Sequence, residues 1–97
     1  MIWYLYVIRT VDDCLYTGIT RDVRRRFNEH LSLGCKAAKY FHAHKPASLV
    51  FSTVIGERSL AHKVEYHFKK LKKTDKEKYI QLGKLLFTAD TGEIISV

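Results

Sequence analysis

The chain holds a single proline, two cysteines and five glycines. No apolar run approaches the ~18 residues that a membrane helix needs, because Lys or Arg interrupts every long stretch. The opening Met1–Ile8 is apolar, but no basic leader precedes it and no small-residue cleavage site follows Arg9, so it does not read as a signal peptide. Cys14 and Cys35 form no Cys-x-x-Cys pair and could make at most one bridge, which makes a reducing cytoplasm the expected compartment. Internal repeats, low-complexity tracts and linkers are also missing. A chain of 97 residues with 46% hydrophobic content then reads as one domain with a modest core.

Acidic residues are the scarcer charge. Ten Asp and Glu stand against 17 Lys and Arg, a net +7 that favours a polyanionic partner and makes nucleic acid the first candidate. The basic residues cluster: Arg24, Arg25 and Arg26 are consecutive, and Lys69, Lys70, Lys72 and Lys73 share a five-residue window. A solvated helix face is the plainer reading of each cluster.

Residues 2–9 are β-branched and aromatic and predict a buried strand. Val11-Asp12-Asp13-Cys14 supplies turn chemistry before a second apolar run at 15–19, so the two form a hairpin candidate. Thr20 or Asp22 can cap a helix over about 22–33, with Val23, Phe27 and Leu31 as its stripe and Gly34 as its stop. Residues 35–46 are basic and histidine-rich and read as a short helix or ordered loop ending at Pro46. Leu49–Ile55 predicts a third strand. Ser59 can cap a helix over 59–72, and Thr74 with Glu77 fits a capping box for another over 75–86. A boundary falls at 86, giving one domain over 1–86 and a tail over 87–97 that could be a strand or a loose end. The order β-β-α-(α)-β-α-α implies an α+β fold, a small and mostly antiparallel sheet with helices packed on it.

Alternation places Tyr4, Tyr6 and Ile8 on one face of the first strand and Trp3, Leu5 and Val7 on the other. Tyr16 and Gly18 share a face of the second strand, so pairing brings Tyr16 close to Tyr6 with open backbone at Gly18. Ordinary core aromatics would look the same. Arg26 and His30 stack at i,i+4 beside the helix's core stripe, while Arg24, Arg25 and Glu29 turn toward solvent. Glu65 follows the small Ala61 by one turn at the core margin, where a plain pair with Lys69 is the alternative. Two tyrosines, an arginine, a histidine and one carboxylate around one core suit phosphodiester cleavage.

Tyr4-Leu5-Tyr6, then Tyr16-Thr17-Gly18, then a helix carrying Arg26 and His30 resembles the GIY-YIG nuclease superfamily, and its small single-domain bacterial branch in particular. The resemblance runs from Trp3 to about residue 85, through Lys39-Tyr40, Pro46, Leu49-Val50-Phe51 and Arg58-Ser59-Leu60-Ala61 to Glu65. It implies a three-stranded antiparallel sheet flanked by helices and metal-dependent hydrolysis of a DNA strand. Tyr6, Tyr16, Arg26, His30 and Glu65 would be the catalytic set, with Glu65 holding one Mg²⁺ or Mn²⁺ ion. Arg26 would clamp the phosphate and Tyr6 would accept the attacking water's proton if nearby positive charge lowers its pKa. Tyr16 would orient water or phosphate, and His30 would relay the proton away. Arg24, Arg25, Lys36, Lys39, Lys69 and Lys70 are the expected nucleic-acid contacts, with DNA ahead of RNA.

Departures from the family pattern accompany the matches. Tyr4 stands where the first glycine would be, Phe41-His42-Ala43-His44 replaces a Thr-Arg-rich loop, and the chain shows no counterpart of a C-terminal asparagine. With no separate recognition domain in view, selectivity for structure rather than sequence is expected. Two rival readings remain. One is a binding module on the same fold with catalysis lost. The other is a zinc protein using Cys14, Cys35, His42, His44, His62 and His67, whose spacings lack the paired cysteines of structural zinc sites.

Overall fold

A computed structural model describes residues 1–96. Three strands, β1 (Trp3–Thr10), β2 (Leu15–Thr20) and β3 (Pro46–Gly56), form one antiparallel sheet in the order β2-β1-β3. Four helices complete it: α1 (Val23–Ser32), α2 (Tyr40–Ala43), α3 (Arg58–Lys69) and α4 (Lys73–Leu82). No helix among the described residues is long and apolar enough to cross a membrane.

The sheet is covered on both faces, and the strand period decides what lies where. Leu5 and Val7 point into a core with Phe51, Val64, Phe68, Tyr79 and Leu85, so α3 and α4 lie on that face. Tyr6 and Ile8 point the other way, onto Phe41 with Tyr16, Val23 and Phe27, so α1 and α2 lie there. The register shifts between Val7↔Phe51 and Ile8↔Leu49, which leaves Val50 as an extra residue in β3. That bulge lets both Val50 and Phe51 pack toward α3 and α4.

The caps differ from expectation in instructive ways. Asp22 caps α1, accepting from the Arg25 amide at 3.1 Å, while Thr20 Oγ1 accepts from the Asp22 amide at 3.2 Å. Leu33 rather than Gly34 takes the left-handed position after α1, at φ 53°; its side chain packs beside the Tyr6 core, which holds the backbone there. Ser59 does not cap α3, which begins one residue earlier behind Glu57, and Glu57 instead pairs with the Met1 ammonium at 3.2 Å. The Thr74–Glu77 capping box does not form either. Helix α4 starts at Lys73 without a side-chain cap, because Glu77 reaches across to Arg9. It stops at Gly83, φ 74°, four residues short of the expected end.

Beyond α4 the tail is part of the packing. A single bridge joins Phe87 and Ile94, both of which touch the core on the α3 face. Gly92 lies so close to α3 that a Cβ there would meet Lys63 Cβ at 2.7 Å and the Val64 amide nitrogen at 2.9 Å. Val97, the last residue of the expected tail, lies outside the described residues.

Candidate active site

Tyr6 sits in the middle of the central strand and is 1% exposed. Its Oη lies 2.9 Å from Nε2 of His30, which is fully buried. The Ala38 amide donates to His30 Nδ1 at 3.2 Å. A neutral imidazole that accepts at Nδ1 carries its proton on Nε2, so His30 donates to Tyr6. The phenol's own proton is left free to donate elsewhere. Opposite Tyr6 in the register is Gly18, where even a Cβ would stand 2.5 Å from Tyr6 Oη and 2.6 Å from Cζ. Glycine is what lets the ring lie across β2.

Tyr16 completes the group as expected. Its ring is 6.3 Å from that of Tyr6 and 5.6 Å from that of His30. Phe41, fully buried, packs at 4.6 Å on both Tyr16 and His30. It takes up the space between α1 and the sheet, so this part of the unusual 41–44 segment serves packing.

Arg26, one turn before His30, faces the Tyr6 hydroxyl and favours its ionised form. Its Nη1 is held by Glu29 Oε1 at 2.9 Å and by the Lys36 carbonyl at 2.6 Å. Glu29 is therefore half-buried at this site and not turned to solvent as the helical pattern suggested. The arginine keeps its carboxyl below the usual range. Burial, with Arg26 second, pushes the His30 pKa down to about 4. For Tyr6, burial outweighs the arginine and drives the phenol well above its ordinary value.

Two expected roles change accordingly. Tyr6 is a neutral phenol at neutral pH, a hydrogen-bond donor and not the proton acceptor expected from nearby positive charge. His30 is fully buried against Phe41 and neutral, and it donates to Tyr6.

Glu65 belongs to α3, across the sheet from α1. It is 19% exposed, and its ion-pair partners are Lys69 at 3.4 Å and His62 at 3.9 Å. No hydrogen bond joins it to Tyr6, Tyr16, Arg26 or His30 among the described residues. Ala61 is fully buried and serves the core. Both contacts are long, and a single, partly exposed carboxylate of this kind is an oxygen ligand for a hard cation that keeps most of its waters. Glu65 is the residue that would hold a divalent ion of the oxygen-ligated kind.

The six basic residues expected to contact nucleic acid are all exposed but do not form one cluster. Arg24 and Arg25 line an open concavity on α1 with Asn28, Glu29 and Ser32, and Lys36 and Lys39 follow on the loop to α2. Lys69 and Lys70 end α3 on the opposite side of the sheet.

Sequence reasoning missed the supports of this site. Glu29 stands three residues after Arg26, a spacing that signals an ion pair. The Lys36 carbonyl and the Ala38 amide are backbone groups delivered by a loop, and no side-chain pattern marks them.

Comparison with known proteins gives consistent matches. The family model for the GIY-YIG catalytic domain matches residues 2–79. A UPF0213 protein of Citrobacter koseri is 49% identical over 81 residues, covering 84% of this chain and 79% of that one. The UPF0213 protein YhbQ of Escherichia coli is 46% identical over 98 residues, covering 97% and 96%. The solution NMR structure of the UPF0213 protein BH0048 from Bacillus halodurans aligns with a TM-score of 0.53 at 35% identity, covering 84% of this chain and 85% of that one.

Proposed function

Since the chain belongs to the GIY-YIG family, among its small bacterial UPF0213 proteins, we propose that it is a divalent-metal-dependent endonuclease. Its substrate on this reading is DNA ahead of RNA, chosen by structure and not by sequence, in a reducing cytoplasm where Cys14 and Cys35 stay thiols.

The observation that carries the reading is the Tyr6–His30–Arg26 arrangement. Packing alone requires neither a histidine with its tautomer set by a backbone amide nor an arginine held by a carboxylate and a carbonyl. Together they present a free phenol proton and a fixed guanidinium at one place, which is what a phosphate oxygen binds. Arg26 clamps the scissile phosphate, and Tyr6 donates to one of its non-bridging oxygens. His30 is a positioning residue that fixes the phenol's direction. Tyr16 orients the phosphate or the attacking water at the rim. Glu65 would hold the ion, which when bound would supply positive charge against the phosphate. Arg24, Arg25, Lys36, Lys39, Lys69 and Lys70 hold the backbone on either side.

One observation favours a second reading, a binding module without catalysis. Glu65 is already engaged by Lys69 and His62 and has no link to the tyrosine group. Labelled single strands, nicked and flapped duplexes and matching RNAs, incubated with Mg²⁺, Mn²⁺ or EDTA, separate the two. Cleavage that requires the ion supports the nuclease; binding without cleavage under every condition supports the module.

A further inference from the structure

At the far end of the β1–β2 hairpin three metal-ligating side chains of different chemistry converge. They are the Asp12 carboxylate, the Cys14 thiol and the His44 imidazole, whose ligand atoms all lie within 4.8 Å of one another. From this geometry we infer that Asp12, Cys14 and His44 form a binding site for a zinc-class transition-metal ion, separate from Glu65. This site does not depend on the nuclease reading.

The backbone builds the site before any ion arrives. Val11 donates to the Lys45 carbonyl at 2.9 Å and Thr10 pairs with Pro46, so the hairpin turn and the residue after α2 are held side by side. Thr10 Oγ1 accepts from the Cys14 amide at 2.8 Å and donates to Asp12 Oδ1 at 2.6 Å. That leaves Asp12 Oδ2 facing the other two groups, 2.6 Å from His44 Nδ1 and 3.8 Å from Cys14 Sγ. The Thr10 hydrogen bond on Oδ1 fixes the Asp12 carboxylate with Oδ2 turned to the site. The His44 ring is set by stacking on Tyr40 at 4.6 Å. Ligands oriented by a hydroxyl and an aromatic ring are the outer-shell arrangement that metal sites use.

The donor set selects the ion. One thiolate, one imidazole and one carboxylate match Zn²⁺ or Co²⁺, whereas Mg²⁺, Mn²⁺ and Ca²⁺ prefer oxygen. On binding, the thiol proton leaves to solvent, and the Nδ1 proton that His44 shares with Asp12 Oδ2 also leaves while Nε2 takes one up from solvent, so that His44 ligates through Nδ1. Three protein ligands leave a fourth position for water. Cys14 and His44 lie 30 residues apart in sequence, so the ion clamps the β1–β2 turn to α2. Tyr40 carries that clamp to the candidate active site, since its ring also packs 5.5 Å from Tyr16. The sequence reading disfavoured zinc because it considered only Cys and His spacings. Asp12, two residues before Cys14, reads in the sequence as turn chemistry.

Cobalt is the direct probe, because a Co²⁺–thiolate bond absorbs in the near ultraviolet and tetrahedral Co²⁺ in the visible. Titrating the reduced full-length protein with Co²⁺ should give both bands at one equivalent, and one equivalent of Zn²⁺ should abolish them. Cys14→Ser should remove the thiolate band, while His44→Gln and Asp12→Asn should each weaken binding by at least about tenfold. Cys35→Ser should bind like the parent, and excess Mg²⁺ should not displace the cobalt. Zn²⁺ should raise the melting temperature of the parent and of Cys35→Ser but not of His44→Gln; circular dichroism first establishes that each variant is folded. A thiolate band that is absent from the folded parent, survives in Cys14→Ser or is lost in Cys35→Ser overturns the site, as does displacement by Mg²⁺.

Discussion

Tyr6 depends on two neighbours that can be changed one at a time. Gly18 leaves the space its ring occupies, so Gly18→Ala should push the phenol out of line with Arg26. We expect cleavage to fall on the order of 10²-fold with a stability loss of about 1–3 kcal/mol, read by single-turnover rates and urea unfolding. A rate equal to the parent's would show that the Tyr6 position does not matter. His30 should leave a mark on acid stability. Its folded pKa of about 4 lies below the unfolded value near 6.5, so the unfolded chain binds the proton more readily between those limits. Stability should therefore be complete above pH 6.5 and fall by on the order of 2–3 kcal/mol as the pH drops toward 4. His30→Gln should flatten that segment of the curve, whereas an unchanged slope would contradict a buried neutral histidine. Of this site, Tyr6, Tyr16, Arg26 and His30 were legible because strand alternation and helical i,i+4 spacing bring them to one face. The direction of the Tyr6 pKa was not, because it turns on depth of burial, and spacing carries no depth.

Elements were easier to read than their ends. The three strands, α1 and α3 follow from apolar patterning, which reports what faces the core, whereas α4 is expected from a capping box that does not form. Their termini depend on which partner wins a polar side chain, and tertiary partners hold Glu57 and Glu77. Arg9 reaches both Glu77 oxygens, at 2.8 and 2.6 Å, and Asp13 at 2.7 Å, while Lys73 also holds Asp13, so α4 is pinned to the β1–β2 turn. The Arg9 contact keeps the Glu77 carboxyl below its usual range, and Lys73 with Arg9 does the same for Asp13. These depressed values mean the pins are present above the unfolded carboxylate pKa near 4 and are lost as the pH falls through the folded values, below the His30 window. Arg9→Met should cost about 1 kcal/mol at neutral pH and little at pH 2, and an equal cost at both would contradict the ionic origin. Thr17 offers the opposite case. Its Oγ1 is buried in β2 with no hydrogen-bond partner. Thr17→Val keeps the branched shape and removes that group, so thermal unfolding should move upward by the equivalent of about 1 kcal/mol. A downward shift would mean that the hydroxyl is satisfied.

For the whole molecule, the net charge of +7 divides between two sides of the sheet. Arg24, Arg25, Lys36 and Lys39 lie with Arg26 on the α1 side, while Lys69 and Lys70 lie with Glu65 on α3. A nucleic acid engaged by both sides should lose affinity steeply with salt. Replacing Arg24 and Arg25, or Lys69 and Lys70, by Ala should each lower the log–log slope by up to about two. Affinity independent of salt would remove the electrostatic basis for a nucleic-acid partner. The central claim is that Glu65 holds the ion for a site built around Tyr6 and Arg26, although no hydrogen bond links the two halves. Glu65→Gln preserves shape and helix propensity but removes the charge that recruits the cation. The deciding measurement is its cleavage rate beside the parent's at subsaturating Mg²⁺, with binding to the same DNA measured in parallel. The account predicts a rate lower by on the order of 10² or more, with binding kept or slightly tighter. Cleavage by Glu65→Gln at the parent's rate would contradict it.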